Sequence, residues 1–467
     1  MIAAVTRGHW HIPWLRCLPA HWDVVSSKRL FSARKELARE KDQQLAATQA
    51  FGVISQKEFE RRVGRRVVQI TQNLEKRRHV EKDDFVISMR SFQGGLERAW
   101  EAGCIRSSYV VLKPSPRVDV GFFQYLLKSH DYIQALQATS NFIRDGQDLN
   151  MSNFALVDLP LPPNDEQRLL ARFLDWHGAQ TAKLIRAKKK IIALLNEQKQ
   201  AIIHRAVTRG LDPNVRLKPS GIPWLGDVPE GWEVKPLKHW AGINRRTLSQ
   251  NTDPDYAFDY VDISAVATGY LSATPERMRF EASPSRARRI VQQGDTLIST
   301  VRTYLKAIYH VDRPWPDLIA STGFAVLTPR PSIDARFFGF VLQSKTLVDQ
   351  VVANSIGVAY PAISETRLGS LHVCLPPSRQ EQEGIINHLQ TATVDFDRSI
   401  EATQREITLI QEFRTRQIAD VVTGKLDVRA AAASLPETVE LEPIDDLVEG
   451  DDLDEAVDDA ENEVVAA

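Results

Sequence analysis

Cysteine is scarce in this sequence, long apolar runs are absent, and so are the spaced motifs that usually carry chemistry. The three cysteines, Cys17, Cys104 and Cys374, lie far apart with no paired spacing. That excludes a disulfide framework or a thiolate metal site and reads as reduced, structural thiols. Apolar runs such as Ile191 to Leu195 and Phe337 to Leu342 fall far short of the roughly 18 residues of a membrane span, and no signal-peptide stretch stands near the N-terminus. A cytoplasmic protein is expected. No Gly-x-x-x-x-Gly-Lys-Ser/Thr phosphate loop occurs, because Gly424-Lys425 is followed by Leu426 and no glycine stands five residues earlier. A Gly-x-Gly-x-x-Gly turn, a Gly-x-Ser-x-Gly elbow and a metal-spaced histidine pair are missing too. Leu161-Pro162-Pro163-Asn164 is not the Asn-Pro-Pro-aromatic element of adenine methyltransferases. No catalytic residue, metal or cofactor is therefore expected.

What is present suits a soluble globular protein, with 43% hydrophobic and 25% charged residues. At 467 residues the chain is too long for one core, so at least two domains are expected. The formal charge of -1 hides an asymmetry: residues 430 to 467 hold 14 Asp and Glu and no Lys or Arg. The remaining chain carries 59 basic against 46 acidic residues, a net charge of +13, which suits a polyanionic partner.

The chain also repeats itself. Ile12-Pro13-Trp14-Leu15, Pro19 and Trp22 recur as Ile222-Pro223-Trp224-Leu225, Pro229 and Trp232 at an offset of 210. Asp84, Ile87 and Ser88 match Asp295, Ile298 and Ser299 at 211; Phe122-Phe123, Leu127 and Ser129 match Phe337-Phe338, Leu342 and Ser344 at 215. Leu161-Pro162-Pro163 and Glu166-Gln167 recur as Leu375-Pro376-Pro377 and Glu381-Gln382. Each copy thus runs from a Trp/Pro loop through a mixed globular region to a Leu-Pro-Pro stop and a long segment without proline.

That last segment predicts a helix. The prolines fit just before a helix start, where Asn164 or Ser378 could cap it. From Asp165 to Val207 there is no proline and one glycine, Gly178, which gives a helix about 65 Å long at 1.5 Å per residue. One heptad register collects Leu174, Thr181, Ile185, Lys188, Ile192, Leu195, Ile202 and Ala206 in the first copy, and Leu389, Phe396, Ile400, Thr403, Ile407, Ile410, Gln417 and Val421 in the second. Either each helix packs into its own domain or the two pair with each other; pairing is the preferred reading.

The opening Gly221 to Trp232, and a Leu-Pro-Pro element followed by Glu-Gln and a long helix, resemble the specificity subunits of type I restriction-modification systems. The resemblance covers both copies, residues 1 to 429, and lies in the order of elements. It implies an α+β protein with two target recognition domains, 1–160 and 213–374, each reading one half of a split DNA site. These would be separated by spacer helices at 161–212 and 375–429 forming an antiparallel coiled coil with pseudo-twofold symmetry, and followed by a disordered acidic tail at 430–467. It further implies double-stranded DNA, two methyltransferase subunits and, in the restriction complex, two motor-nuclease subunits as partners, with no catalytic residue on this chain. A duplicated adaptor that organises partner proteins without reading DNA is the competing reading.

Candidate DNA-contacting residues follow from charge and placement. Arg61, Arg62, Arg65, Arg66, Lys76, Arg77 and Arg78 form two basic clusters in the first copy, and Arg286, Arg288 and Arg289 a comparable one in the second. Arginine forks engage phosphate or guanine edges bidentately; the plainer alternative is a solvated helix face paired with Glu58, Glu60 and Glu75. After the matching runs at Ile87-Ser88 and Ile298-Ser299 come Arg90 and Gln93 in one copy and Arg302, Tyr304 and Lys306 in the other. A strand exit projects such side chains outward. Trp14, Trp22, Trp224 and Trp232 read as loop anchors rather than base-stacking platforms, since a duplex offers no unstacked base. Lys183, Arg186, Lys189 and Lys190 read as a solvated or partner-facing helix surface. The tail, four alanines and then acidic and small apolar residues, is expected to stay unfolded. Deleting residues 430 to 467 should raise nonspecific DNA affinity at low salt; unchanged binding in a salt titration would show that the tail does not compete electrostatically.

Overall fold

The computed structural model describes residues 14–15, 18–64, 74–88, 91–139, 150–357 and 360–437. They divide into two compact units, Met1–Lys190 with Thr403–Ala467, and Ile191–Ala402. The division falls inside both long helices.

In the first unit a four-stranded antiparallel sheet runs in the order Phe31–Ala33, Val110–Pro114, Phe85–Ile87, Glu97–Arg98. Its central strand Phe85–Ile87 is a continuous apolar run with all three residues buried, as expected for a strand covered on both faces. Phe31 sits at the centre, edge-on to Phe85, Phe123 and Phe154 at 5.6–5.7 Å. The second unit repeats this sheet strand for strand: Ala241–Ile243, Phe324–Pro329, Thr296–Ser299, Ile308–His310. The copies part company in the smaller sheets. The first unit has two separate hairpin-like pairs, Leu45–Thr48 with Gly52–Ser55 and Arg78–Val80 with Gly103–Ile105. The second has a mixed four-stranded sheet in which Ala257–Val261 and Leu318–Ser321 run parallel.

The recurring sequence pairs acquire their roles here. Asp84 takes the Arg34 guanidinium at 2.7 and 3.0 Å and the Glu81 N–H at 2.9 Å; Asp295 takes Arg246 at 2.5 Å and the Gln292 N–H at 2.8 Å. Each closes the turn that leads into a central strand. Gln167 and Gln382 are fully buried. The Gln167 amide accepts the Asp119 N–H at 2.7 Å and donates to Pro162 O at 2.8 Å; Gln382 accepts the Asp334 N–H at 2.8 Å and donates to Pro376 O at 3.0 Å. Asp119 and Asp334 in turn cap the Phe-Phe helices Val120–Leu126 and Ala335–Leu342. The neighbouring Glu166 and Glu381 accept the indole N–H of Trp22 and Trp232 at 3.0 and 2.9 Å. These two buried tryptophans are therefore loop anchors, as the sequence suggested.

The long segments form α1 (Asn164–Arg209) and α2 (Arg379–Val422). The Ser378 hydroxyl caps α2 by accepting the Glu381 N–H at 3.4 Å. Asn164 lies inside the first turn of α1 instead, and its side-chain oxygen meets the Gln167 amide. Within the first unit the helices pair antiparallel: Leu170 to Leu174 share a core with Val421 and Val422, and Lys188 is ion-paired with Glu406. Within the second unit Ile203, Ala206 and Val207 share a core with Ile385, Ile386 and Leu389, and Lys199 meets Asp397 at 2.5 Å. Leu174, Ile185 and Ala206 on α1, and Leu389, Ile407 and Val421 on α2, are buried as the heptad register requires.

Residues 430–437 fall within the described part. The turn Arg429–Ala433 buries Ala432 in the core of the first unit, and Leu435 packs against it. The tail expected to stay unfolded over 430–467 is thus ordered at 430–437, where Ala432 and Leu435 find apolar partners, and residues 438–467 lie outside the described residues, so a truncation after Glu437 tests the charge effect without disturbing this packing. Gln382→Leu should leave Asp334 N and Pro376 O buried without their partner, an expected loss of about 2–3 kcal/mol in urea unfolding; a change under 0.5 kcal/mol would remove the role assigned to the buried amide.

Candidate nucleic-acid interface

The basic residues singled out from sequence are held in different ways. Helix Gln56–Val63 starts at the Ser55 cap and ends at Gly64 in the left-handed conformation. It aligns Arg61 and Arg62 with one acceptor, Glu58, at 2.7–2.8 Å. Hydrogen bonds from Arg61 and then Arg62 outweigh desolvation and hold the Glu58 carboxyl at about 2. Arg62 also stacks over Phe51 at 5.2 Å. Arg77 departs from its neighbours: it is 4% exposed, with Nε and one terminal nitrogen lacking a hydrogen-bond partner, so it is placed in the interior rather than on a surface that DNA could meet. Arg78 is half-buried, with a 3.4 Å bond to Lys35 O. Arg65, Arg66 and Arg90 lie outside the described residues.

Gln93 is exposed on the one-turn helix Ser91–Gly94, directly after the central strand Phe85–Ile87. The turn closes through Gly95 N–H to Ser91 O at 3.1 Å. Gly95 has φ +80°, and a Cβ there would lie 2.2 Å from Leu127 O, so no other residue fits this close approach. Beyond it, Glu97 is buried with Lys128 Nζ at 2.9 Å; desolvation outweighs the lysine and pushes its carboxyl up to about 7.

In the second unit Arg286 donates to Asp262 at 2.6 Å and to the Tyr260 hydroxyl at 3.3 Å. Arg288 lies over Phe280 at 4.8 Å, and the Arg289 Nε is buried without a partner. A register shift between Ala287 and Arg289 spreads this cluster instead of aligning it.

The strand exit after Ser299 is built differently. Arg302 and Lys306 adopt left-handed backbone conformations, φ 50° and 52°, on either side of the turn Thr303–Leu305. The other positive-φ residues among those described are glycine, Asn or Asp, which tolerate this region. An arginine or lysine there costs about 1–2 kcal/mol, and such strain tends to persist at functional sites. Tyr304 and Leu305 are 50% and 46% exposed, and Arg302 stacks on Tyr360 at 5.0 Å.

Sequence reasoning missed Tyr270, Ile356 and Tyr360, all well exposed. Bridges from Val301 to Ala362 and from Thr268 to Ile308 draw their segments against the strand exit from far along the chain, and no local pattern marks them. Arg302 thus gains an aromatic neighbour in Tyr360, whereas Arg286 is ion-paired, Arg288 is stacked on Phe280 and the Arg289 Nε is buried.

Comparison with known proteins gives this surface a context. Residues 229–412 match the type I restriction modification DNA specificity domain, a span that runs from the end of the Trp/Pro loop through the strained strand exit and into α2. The matched domain is the DNA specificity domain of type I restriction-modification systems. Similar relatives are the MjaVIII specificity subunit of Methanocaldococcus jannaschii, 23% identical over 59% of this chain and 64% of its own length, and the MjaX specificity subunit of that organism, 22% over 68% and 71%. The EcoKI specificity subunit of Escherichia coli is 24% identical over 58% of each chain. The match therefore spans about three fifths to seven tenths of these relatives. A chain solved in work on complex assembly and conformational transition of the type I R-M system is similar in fold: the match covers 88% of this chain and 100% of that one, with a TM-score of 0.52 at 14% identity.

No helix among the described residues is long and apolar enough to cross a membrane. The raised Glu97 pKa gives a signed expectation. Its folded value, about 7, lies above the ordinary 4.5, so its contribution to stability is present below pH 4.5 and is lost as pH rises through 7. Wild type minus Glu97→Gln stability should fall by about 3 kcal/mol between pH 4.5 and 8, read by urea unfolding at each pH; a flat difference would place the carboxyl elsewhere.

Proposed function

We propose that this chain is a type I specificity subunit, that it reads a bipartite, asymmetric DNA site, one half with each globular region, and that it supplies no catalytic group of its own. The observation that carries this reading is the duplicated sheet with unlike strand exits. The same four strands recur in the same order, yet Gln93 follows the central strand in one copy and Arg302, Tyr304 and Lys306 follow it in the other. A shared scaffold with divergent tips is what two readers of different half-sites need, much as a symmetric dimer presents one reader twice. Recognition domains at 1–160 and 213–374, spacers at 161–212 and 375–429, and a site of action where the genome lies all follow from that reading.

The long helices are the proposed dock for two methyltransferase subunits, and the assembled complex for two motor-nuclease subunits. Leu184, Leu409 and Phe413 are exposed in the first unit, and Ile191, Leu194 and Val394 in the second. Each unit thus offers an apolar helix surface that water alone does not favour.

Exchange of region 213–374 with that of another specificity subunit should change one half of the methylated motif and leave the other intact, as read by single-molecule sequencing of the host genome. Arg302→Ala should weaken discrimination in that same half by about 1–3 kcal/mol if the guanidinium meets a base. A continuous palindromic motif, or an exchange that alters both halves together, would sink the two-reader reading.

A further inference from the structure

We infer that Tyr304 and Leu305 form an apolar wedge that enters duplex DNA between two base pairs of the half-site read by the second unit, so that this half is selected partly by how readily one base step unstacks. The inference deepens the DNA-reading function and rests on it.

Four observations meet at this tip. First, a tyrosine and a leucine side by side, each about half exposed, occupy the outer turn of a strand exit where a soluble domain ordinarily places polar residues. Second, the backbone beneath them is held by several hydrogen bonds. Leu305 N–H bonds to Arg302 O at 2.9 Å, Lys306 N–H to Thr303 O at 3.0 Å, and Ser299 N–H to Ala307 O at 2.9 Å. The Thr303 hydroxyl donates to Ser355 Oγ at 2.7 Å and the Thr268 hydroxyl to Lys306 O at 2.7 Å. The tip is thus ordered before any ligand arrives, and binding need not supply that ordering.

Third, two residues that rarely adopt left-handed geometry do so on both sides of the pair. Without that reversal at Arg302 and Lys306 the turn would not project Tyr304 and Leu305. Fourth, the cations around the pair have no carboxylate to neutralise them among the described residues. Arg302 lies on the Tyr360 ring at 5.0 Å. Lys306 is exposed. Arg286, Arg277 and Arg279 of the same unit are each paired with an aspartate.

An exposed apolar pair ringed by unneutralised cations fits one occupant well. Duplex DNA puts phosphates on the rim and the faces of its bases at the centre, and proteins that insert Leu or aromatic side chains between base steps kink it there. Pyrimidine–purine steps unstack most readily, so the wedge would favour them without a single hydrogen bond to a base edge. A protein partner would instead want acidic groups opposite Arg302 and Lys306, and would leave the strained, pre-ordered turn without a purpose.

The test uses the full chain assembled with its methyltransferase on a duplex carrying the host-mapped motif. 2-Aminopurine is placed at each adenine, and pyrrolocytosine at each cytosine, across the half changed by exchange of region 213–374. Fluorescence should rise several-fold at one step besides the methylated adenine, which the methyltransferase itself flips out of the stack. The double substitution Tyr304→Ala and Leu305→Ala should abolish the rise and weaken binding about tenfold, with the slope of affinity against salt kept. A mismatched pair at that step should tighten wild-type binding about tenfold, because the unstacking is already done; this arm needs no variant to fold. Selective binding with no such unstacked step, an unaltered rise in the double variant, or no gain from the mismatch would each overturn the wedge. So would a double variant that keeps DNA but loses the methyltransferase. A wild-type complex without sequence-selective binding would overturn both the wedge and the DNA-reading function.

Discussion

Where the chain enters each long helix, a proline carbonyl and the N–H of a neighbouring helix's capping aspartate must both be satisfied in the interior, and one buried glutamine does this in each copy. A helix of 44 or 46 residues with an interrupted apolar seam gains most of its stability from packing, so its direction depends on how its start is fixed. Gln167 and Gln382 tie that start to the proline stop behind it and to the capped Phe-Phe helix beside it. Trp22 and Trp232 close the other side through Glu166 and Glu381. The Glu-Gln pair, a minor feature of the repeat by eye, is the joint between each sheet and its spacer helix.

Because the joint and the main sheet are held in common, divergence is confined to places where it costs little folding energy. The smaller sheets differ in strand number and direction, and the strand exits differ in residue type and backbone strain. The second exit stores its strain next to its most exposed side chains, on a turn whose flanks are hydrogen-bonded. That separation, a joint shared by both copies and an unlike tip on each, leaves the scaffold the same while the side chains at the strand exit differ.

Much of this was legible in the sequence because it rests on local or periodic signals. Pro162-Pro163 and Pro376-Pro377 end strands and precede helices for steric reasons. The heptad positions at Leu174, Ile185, Ile407 and Val421 are buried because helical periodicity alone brings them to one face. What charge alone could not resolve is which cation remains available. Arg77 and Arg78 are adjacent, yet one is buried and the other half-buried. Arg61 and Arg62 share Glu58, an i,i+3 and i,i+4 acceptor that the sequence already offered.

The sequence by itself determined the duplication, the α+β class, the long helices and their seam, and the absence of the motifs that catalysis requires. These follow from spacing and composition, which need no third dimension. Only the tertiary structure decided that Gln167 and Gln382 are structural joints, that Ala432 and Leu435 belong to a core rather than to the tail, and that Tyr360 lies against Arg302. The physical reason is the same in each case: a hydrogen bond or contact between residues tens to hundreds of positions apart depends on where two segments meet in space, and no local pattern in either segment records its partner.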